Sequence, residues 1–160
     1  MDREKNMAES AMKLDSEEVK AWYTKLLDNV VKEMISLKAV SGAAVQAAPV
    51  WIAPYEMLMA KVWGVGNEHD FIWTLSIDKL IADYIAGSLA SSPREAAKHF
   101  SLKWQLDADR MSSIGQGHSM GDKADKALED YSSKLIRYAE TLYDLTTRDE
   151  VWEEQQSLAN

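Results

Sequence analysis

Between residues 19 and 37 the apolar positions return every three or four places: Val19, Trp22, Tyr23, Leu26, Leu27, Val30, Met34 and Leu37. That spacing predicts an amphipathic helix with a broad buried stripe. Asp15 with Glu18 reads as its capping pair, and Ser41-Gly42 as the point before which it ends. Residues 1–14 alternate charged and small side chains with no apolar face, which predicts a flexible lead-in to a single globular domain over 15–160. The segment 43–54, AAVQAAPVWIAP, reads as a connector, because Pro49 and Pro54 break both a helix and a sheet ladder. The period then changes to two, with Tyr55, Met57, Met59, Lys61 and Trp63 on one face. Turn residues at 66–70 lead into Phe71-Ile-Trp-Thr-Leu-Ser-Ile77, aromatic and β-branched, so a β-hairpin over 55–65 and 71–77 is expected. Residues 78–91 read as irregular or briefly helical.

Ser92-Pro93-Arg94-Glu95 is the clearest signal in the chain. A serine cap, a proline at the first helical position and a glutamate three residues after the cap together open a helix. Its expected span is 93–114, burying Ala97, Phe100, Trp104, Ala108 and Met111, with Gly115 as the stop. After the loop GQGHSMGD a second helix is expected over 123–145, its seam formed by Ala124, Leu128, Tyr131, Leu135, Tyr138, Leu142 and Leu145. Thr147-Arg-Asp-Glu150 opens a short C-terminal helix with Trp152 as its apolar contact. The expected architecture is α+β and mainly helical: a long N-terminal helix, a hairpin, two further long helices and a short terminal one.

Composition narrows the chemistry. In 160 residues there is no cysteine, which excludes a disulfide framework, a zinc–thiolate site and a cysteine nucleophile. The net charge of −8 is carried by the ends, −3 over residues 1–18 and −5 over 122–160, and the middle is neutral. Without a clustered basic face, nucleic acid is not an expected ligand. The N-terminal stretch is polar and acidic and no apolar run reaches the roughly 20 residues of a bilayer span, so a cytoplasmic protein without membrane contact is expected.

Three short patterns resemble chemical motifs. Gly117-His118-Ser119-Met120-Gly121 has the spacing of a nucleophile elbow, but no strand precedes it and no histidine follows. Gly64-Val65-Gly66 begins a phosphate-loop pattern that no helix completes. Glu95 and His99, four apart on one helix, would supply two metal ligands and need others from Asp78, Asp83 or His69; no metal and no cofactor is expected. Asp78, Asp83, Arg94, Glu95 and His99 form the one constellation suited to acid–base work, if burial were to separate their pKa values.

A resemblance covers residues 53–110. Ala53-Pro54-Tyr55, Trp63, Trp73 with Ser76 and Asp78, Asp83-Tyr84, and Pro93-Arg94-Glu95-Ala96 with Phe100 and Trp104 resemble a family of small uncharacterised bacterial proteins, a domain of unknown function. In that pattern the second strand ends Gly-Asp-Leu-Pro-Thr-Asp-Tyr; here Ile77 to Tyr84 is one residue longer and lacks the glycine and proline. The resemblance implies a hairpin packed on helices and no known activity.

The functional expectation is a non-catalytic protein-binding module, most concretely an acidic inhibitor or immunity-type protein that occludes a basic partner. Trp51 and Trp152, with Glu150, Glu153 and Glu154, are the candidate contact residues, satellite packing being the first expectation for each tryptophan and an interface role the second. The 123–145 seam suits either an internal neighbour or a second copy in a homodimer, and the sequence leaves the two open. The rival is a small enzyme or ligand-binding protein using the Asp78, Asp83, Arg94, Glu95 and His99 set between the hairpin exit and Pro93.

Overall fold

The computed structural model describes residues 16–41, 44–77, 81–117 and 121–155. The lead-in over 1–14, the Asp15 cap, Asp78 and the His118-Ser119-Met120 part of the elbow-like loop lie outside the described residues. Among them, the chain forms helix α1 (Glu17–Ser36), strands β1 (Val45–Ala53), β2 (Met57–Gly64), β3 (Ile72–Ile77) and β4 (Ile81–Ala86), then helices α2 (Pro93–Gly117), α3 (Asp122–Thr146) and the short α4 (Asp149–Glu153). The fold is α+β and mainly helical.

The four strands make one antiparallel sheet in sequential order, β1-β2-β3-β4. Helix α1 covers one face, where Val19, Val30 and Met34 pack on Ile52, Leu58, Val62 and Ile72. The α2–α3 pair covers the other, where Phe100, Trp104, Leu135 and Leu142 meet Met57, Met59, Trp73, Leu75 and Ile85. Alternation along β2 and β3 feeds both layers, which is why these strands are buried almost throughout. Lys61 escapes desolvation by lying over the rings of Phe71 and Trp73, 4.7 and 4.9 Å from their centroids.

Two expectations are corrected. The stretch read as a connector holds an edge strand at Val45–Ala53, and strand β4 at Ile81–Ala86 is followed by a 3-10 turn at Gly87–Leu89. Pro49 is tolerated because β1 lies at the edge and its ladder is irregular there: the register runs Pro49–Ala60 and then Trp51–Met59. The extra residue, Val50, inverts the facing of the strand. Ala47 contributes to the α1 side, and after the bulge Ile52 does, while Val50 and Trp51 both turn toward α2 and α3. A strand whose alternation reverses midway carries no simple period-two signal.

The helix ends follow local chemistry. Ser16 caps α1, its hydroxyl accepting the Val19 N–H at 3.2 Å. At the other end Ala39 N–H reaches Met34 O and Lys38 N–H reaches Ile35 O, a reversal that places Lys38 at φ +58°. The α3 seam also differs from the expected one. Leu135 and Leu142 are buried as expected, but their companions are Ser132, Ala139 and Thr146, and Ala124 and Tyr131 are exposed. Both seams obey the same four–three spacing and share Leu128, Leu135 and Leu142. Small side chains decide between them: Ala139 lets α2 approach until Ser101 Oγ donates to its carbonyl at 2.9 Å. The seam is therefore internal, formed against α2.

Candidate functional site

The acid–base constellation is dispersed by the fold. Asp83, on β4 opposite Leu75, faces α2, where it accepts from Lys103 Nζ at 2.6 Å and Trp104 Nε1 at 2.9 Å. Its Oδ1 also accepts the Tyr84 N–H at 2.8 Å. This carboxylate locks the last strand to α2 and leaves little lone-pair capacity for chemistry.

Arg94, in the first turn of α2, donates from Nε to the Thr146 carbonyl at 2.8 Å and pairs with Asp149 at 2.7 Å. One guanidinium thus satisfies a C-terminal carbonyl of α3 and holds the start of α4. Glu95 turns the other way, accepting from Ser91 Oγ at 2.6 Å and Ser91 N at 3.0 Å, while Ser92 Oγ takes the Glu95 N–H at 3.2 Å. The capping box is present but reaches one residue further back than expected. The Ser91 hydroxyl, then its N–H, hold the Glu95 carboxyl below the usual glutamate range, with His99 and Lys98 adding charge attraction.

His99 is half-buried one turn beyond Glu95. Ten residues separate Arg94 from Trp104, where Asp83 is bound, which is about 15 Å along the helix axis. Asp83 and the Arg94–Glu95 pair therefore do not meet. Among the described residues no group of three His, Asp or Glu side chains is placed to hold a metal ion.

The two tryptophans named as candidate contacts are buried, Trp51 at 2% and Trp152 at 9% exposure. They stack on each other with ring centroids 4.9 Å apart and 23° between planes. Trp51 Nε1 donates to Val151 O at 3.2 Å and Trp152 Nε1 to Leu145 O at 2.9 Å, so both polar handles are satisfied internally. Satellite packing, the first expectation, describes them: their role is to fasten the C-terminal segment to the edge strand. Gln155 completes the clasp, its Oε1 accepting from Ile52 N at 2.8 Å and its Nε2 donating to Ile52 O at 2.7 Å. The carboxamide occupies the place a neighbouring strand's peptide would take. Glu150, Glu153 and Glu154 remain exposed.

Two surfaces are left uncommitted. On the solvent side of the α2–α3 pair Leu102, Leu106, Ile136 and Tyr143 are 55%, 60%, 41% and 53% exposed. Helical spacing puts Leu102 and Leu106 one turn apart and directly away from the buried Ala97, Trp104 and Ala108. The signal was present in the sequence, since both leucines fall outside the stripe predicted for that helix. The second surface is an open cleft of about 330 Å³ at the β1–β2 turn, lined by that turn, the end of β3 and Arg137, Tyr138 and Thr141 of α3. Among the described residues no helix is long and apolar enough to cross a membrane.

Comparison with known proteins gives one match. The family model described as Domain of unknown function (DUF4826) fits residues 17–152, from the first residue of α1 into α4. No curated protein and no solved structure matches the chain. Because that match takes in all four strands and the clasp between Trp51 and Trp152, the fold described above is the family's domain, and the chain belongs to the DUF4826 family.

Proposed function

We propose that this protein is a non-catalytic binding module of the bacterial cytoplasm whose α2–α3 face occludes a basic protein partner. The observation that carries the reading is the set of exposed apolar side chains on that face, Leu102, Leu106, Ile136 and Tyr143. Leu102 and Leu106, one helical turn apart and both more than half exposed, make an apolar pair that solvent alone does not account for. The choice of a basic partner rests on charge. Glu140 in the C-terminal half of α3, and Glu150, Glu153 and Glu154 after it, are exposed, and no ion pair engages them among the described residues. Such carboxylates accelerate encounter with a cationic surface and reject an acidic one. The enzyme reading is weaker, since Asp83, Arg94 and Glu95 are each spent on tying elements together.

The test is a quantitative pull-down from a lysate of the source organism, with the wild-type chain and a Leu102→Ser, Leu106→Ser double variant. The expected result is one basic protein held by the wild type, released as salt rises, and not held by the variant, whose melting temperature is unchanged. Equal retention by the variant, loss of neither species at high salt, or a second copy of this chain as the bound species would each overturn the reading.

A further inference from the structure

We propose that the cleft at the β1–β2 turn is a binding site for a small carboxylate carried on an apolar body. Its apolar part is formed by Met57 and Ile77, both 4% exposed. Tyr55 and Tyr138 are among its lining residues. A volume of about 330 Å³ falls at the lower end of the range for small-molecule sites. That size suits a ring or a short alkyl chain with a single head group.

The head group follows from Arg137. Arg137 lines the cleft and its side chain has no hydrogen-bond or ion-pair partner among the described residues, although two other arginines, Arg94 and Arg148, are both tied to carboxylates. Arginine stays charged at any working pH and presents a planar fork that fits a carboxylate with two parallel bonds. Thr141, on the same wall, spends its hydroxyl proton on the Arg137 carbonyl at 2.9 Å, leaving oxygen lone pairs rather than a donor toward the cleft.

The turn itself is an independent observation. Tyr55 sits at φ +65°, a backbone conformation that side-chain-bearing residues seldom adopt, and it is half-exposed. Its ring leans on Trp22 of α1 with centroids 5.5 Å apart, so packing against the helix holds the turn in this shape. Backbone held in a sparsely populated region by its surroundings is a feature of ligand clamps. Glu56, the next residue, brings a negative charge to the rim. It works against a plain carboxylic acid and favours one that also carries an ammonium, so two sources of the same chemistry, simple acids and apolar amino acids, are separable.

Titration by calorimetry and ligand-observed NMR with phenylacetate, hexanoate and L-phenylalanine, and with benzyl alcohol as the uncharged probe, tests the site. Saturable binding of at least one carboxylate is expected, at least tenfold tighter than benzyl alcohol. Arg137→Gln, at an exposed position, should weaken it by about tenfold or more with an unchanged melting temperature. Glu56→Gln should tighten phenylacetate and weaken phenylalanine if the amino acid is the ligand, and tighten both if a simple acid is. The proposal is overturned if no carboxylate saturates at millimolar concentration, if benzyl alcohol binds as well, or if the Arg137 variant binds like the wild type.

Discussion

Replacing Gln155 by alanine removes the two hydrogen bonds that close the C-terminal clasp, to Ile52 N and Ile52 O. Both Ile52 groups sit on an edge strand, and the residue is 1% exposed, so neither group regains water unless the clasp opens. An orphaned buried donor or acceptor costs about 1–3 kcal/mol, which makes about 2–6 kcal/mol for the pair. The variant recovers about 1.5–2 kcal/mol of side-chain entropy that the ordered glutamine had given up. The net loss is then about 0–4.5 kcal/mol, near 2 kcal/mol at the middle of the range, which is a sizeable part of the stability of a domain of this size.

Urea unfolding followed by circular dichroism measures that loss, and amide exchange at Ile52 locates it. If the clasp opens on its own, the Ile52 amide should lose about tenfold in protection for each 1.4 kcal/mol, even where the global transition moves less. Gln155→Met separates the causes, because methionine keeps the length and apolar stem but makes neither bond. The methionine and alanine variants should fall together. A change below about 0.5 kcal/mol in both, with Ile52 protection intact, would show that the carboxamide is not what closes this edge.

Three further outcomes follow from the same hydrogen-bond inventory. Asp83→Ala should lower stability by about 1–3 kcal/mol by leaving Trp104 Nε1 unpaired, with Asp83→Asn closer to wild type; equal stability of all three in urea titration would refute the strand-to-helix role. Glu95 has a depressed pKa, so its contribution is present above the unfolded-state value, about 4.3, and is lost as pH falls through the lower folded-state value. Glu95→Gln should therefore flatten the acid limb of the stability curve below about pH 4.5, and an unchanged limb would refute it. Ser76 Oγ is buried with no partner among the described residues, so Ser76→Ala should be neutral or stabilising; destabilisation by more than about 1 kcal/mol in urea would contradict this account.

What could be read from the chain was what local chemistry decides. The start of α2 is legible because serine, proline and glutamate act within one turn, and the hairpin because its first strand keeps a partial alternation and its second strand is β-branched and aromatic. Strand β1 was hidden by two prolines and by the bulge at Val50, which makes Val50 and Trp51 share a face. Only position at the sheet edge makes Pro49 acceptable, and that is a property of the whole topology. The α3 seam was ambiguous by one position because its leucines serve either choice, and the answer lies in the small residues that α2 needs opposite it. Trp51 and Trp152 looked uncovered because each is the other's cover across a hundred residues of sequence. The constellation around Asp83 and Glu95 looked chemical for a related reason: their true partners, Trp104, Lys103 and Ser91, enter no catalytic pattern.

The two proposed surfaces share helix α3 but draw on different side chains. Successive residues on a helix are about 100° apart, so Tyr138, which lines the cleft, lies about 200° around from Ile136 on the outer face. Tyr143, seven residues beyond Ile136, returns to the outer side. Arg137 lies between Ile136 and Tyr138, about 100° from each, so substitution rather than the angle alone separates a small acid seated against it from a protein on Leu102 and Leu106. The substitutions should segregate accordingly: Arg137→Gln should leave the pull-down unchanged, and the Leu102, Leu106 pair should leave carboxylate titration unchanged. If Arg137→Gln abolished protein capture instead, the cleft would belong to the partner's footprint, and the arginine would be an interface residue rather than the base of a ligand site.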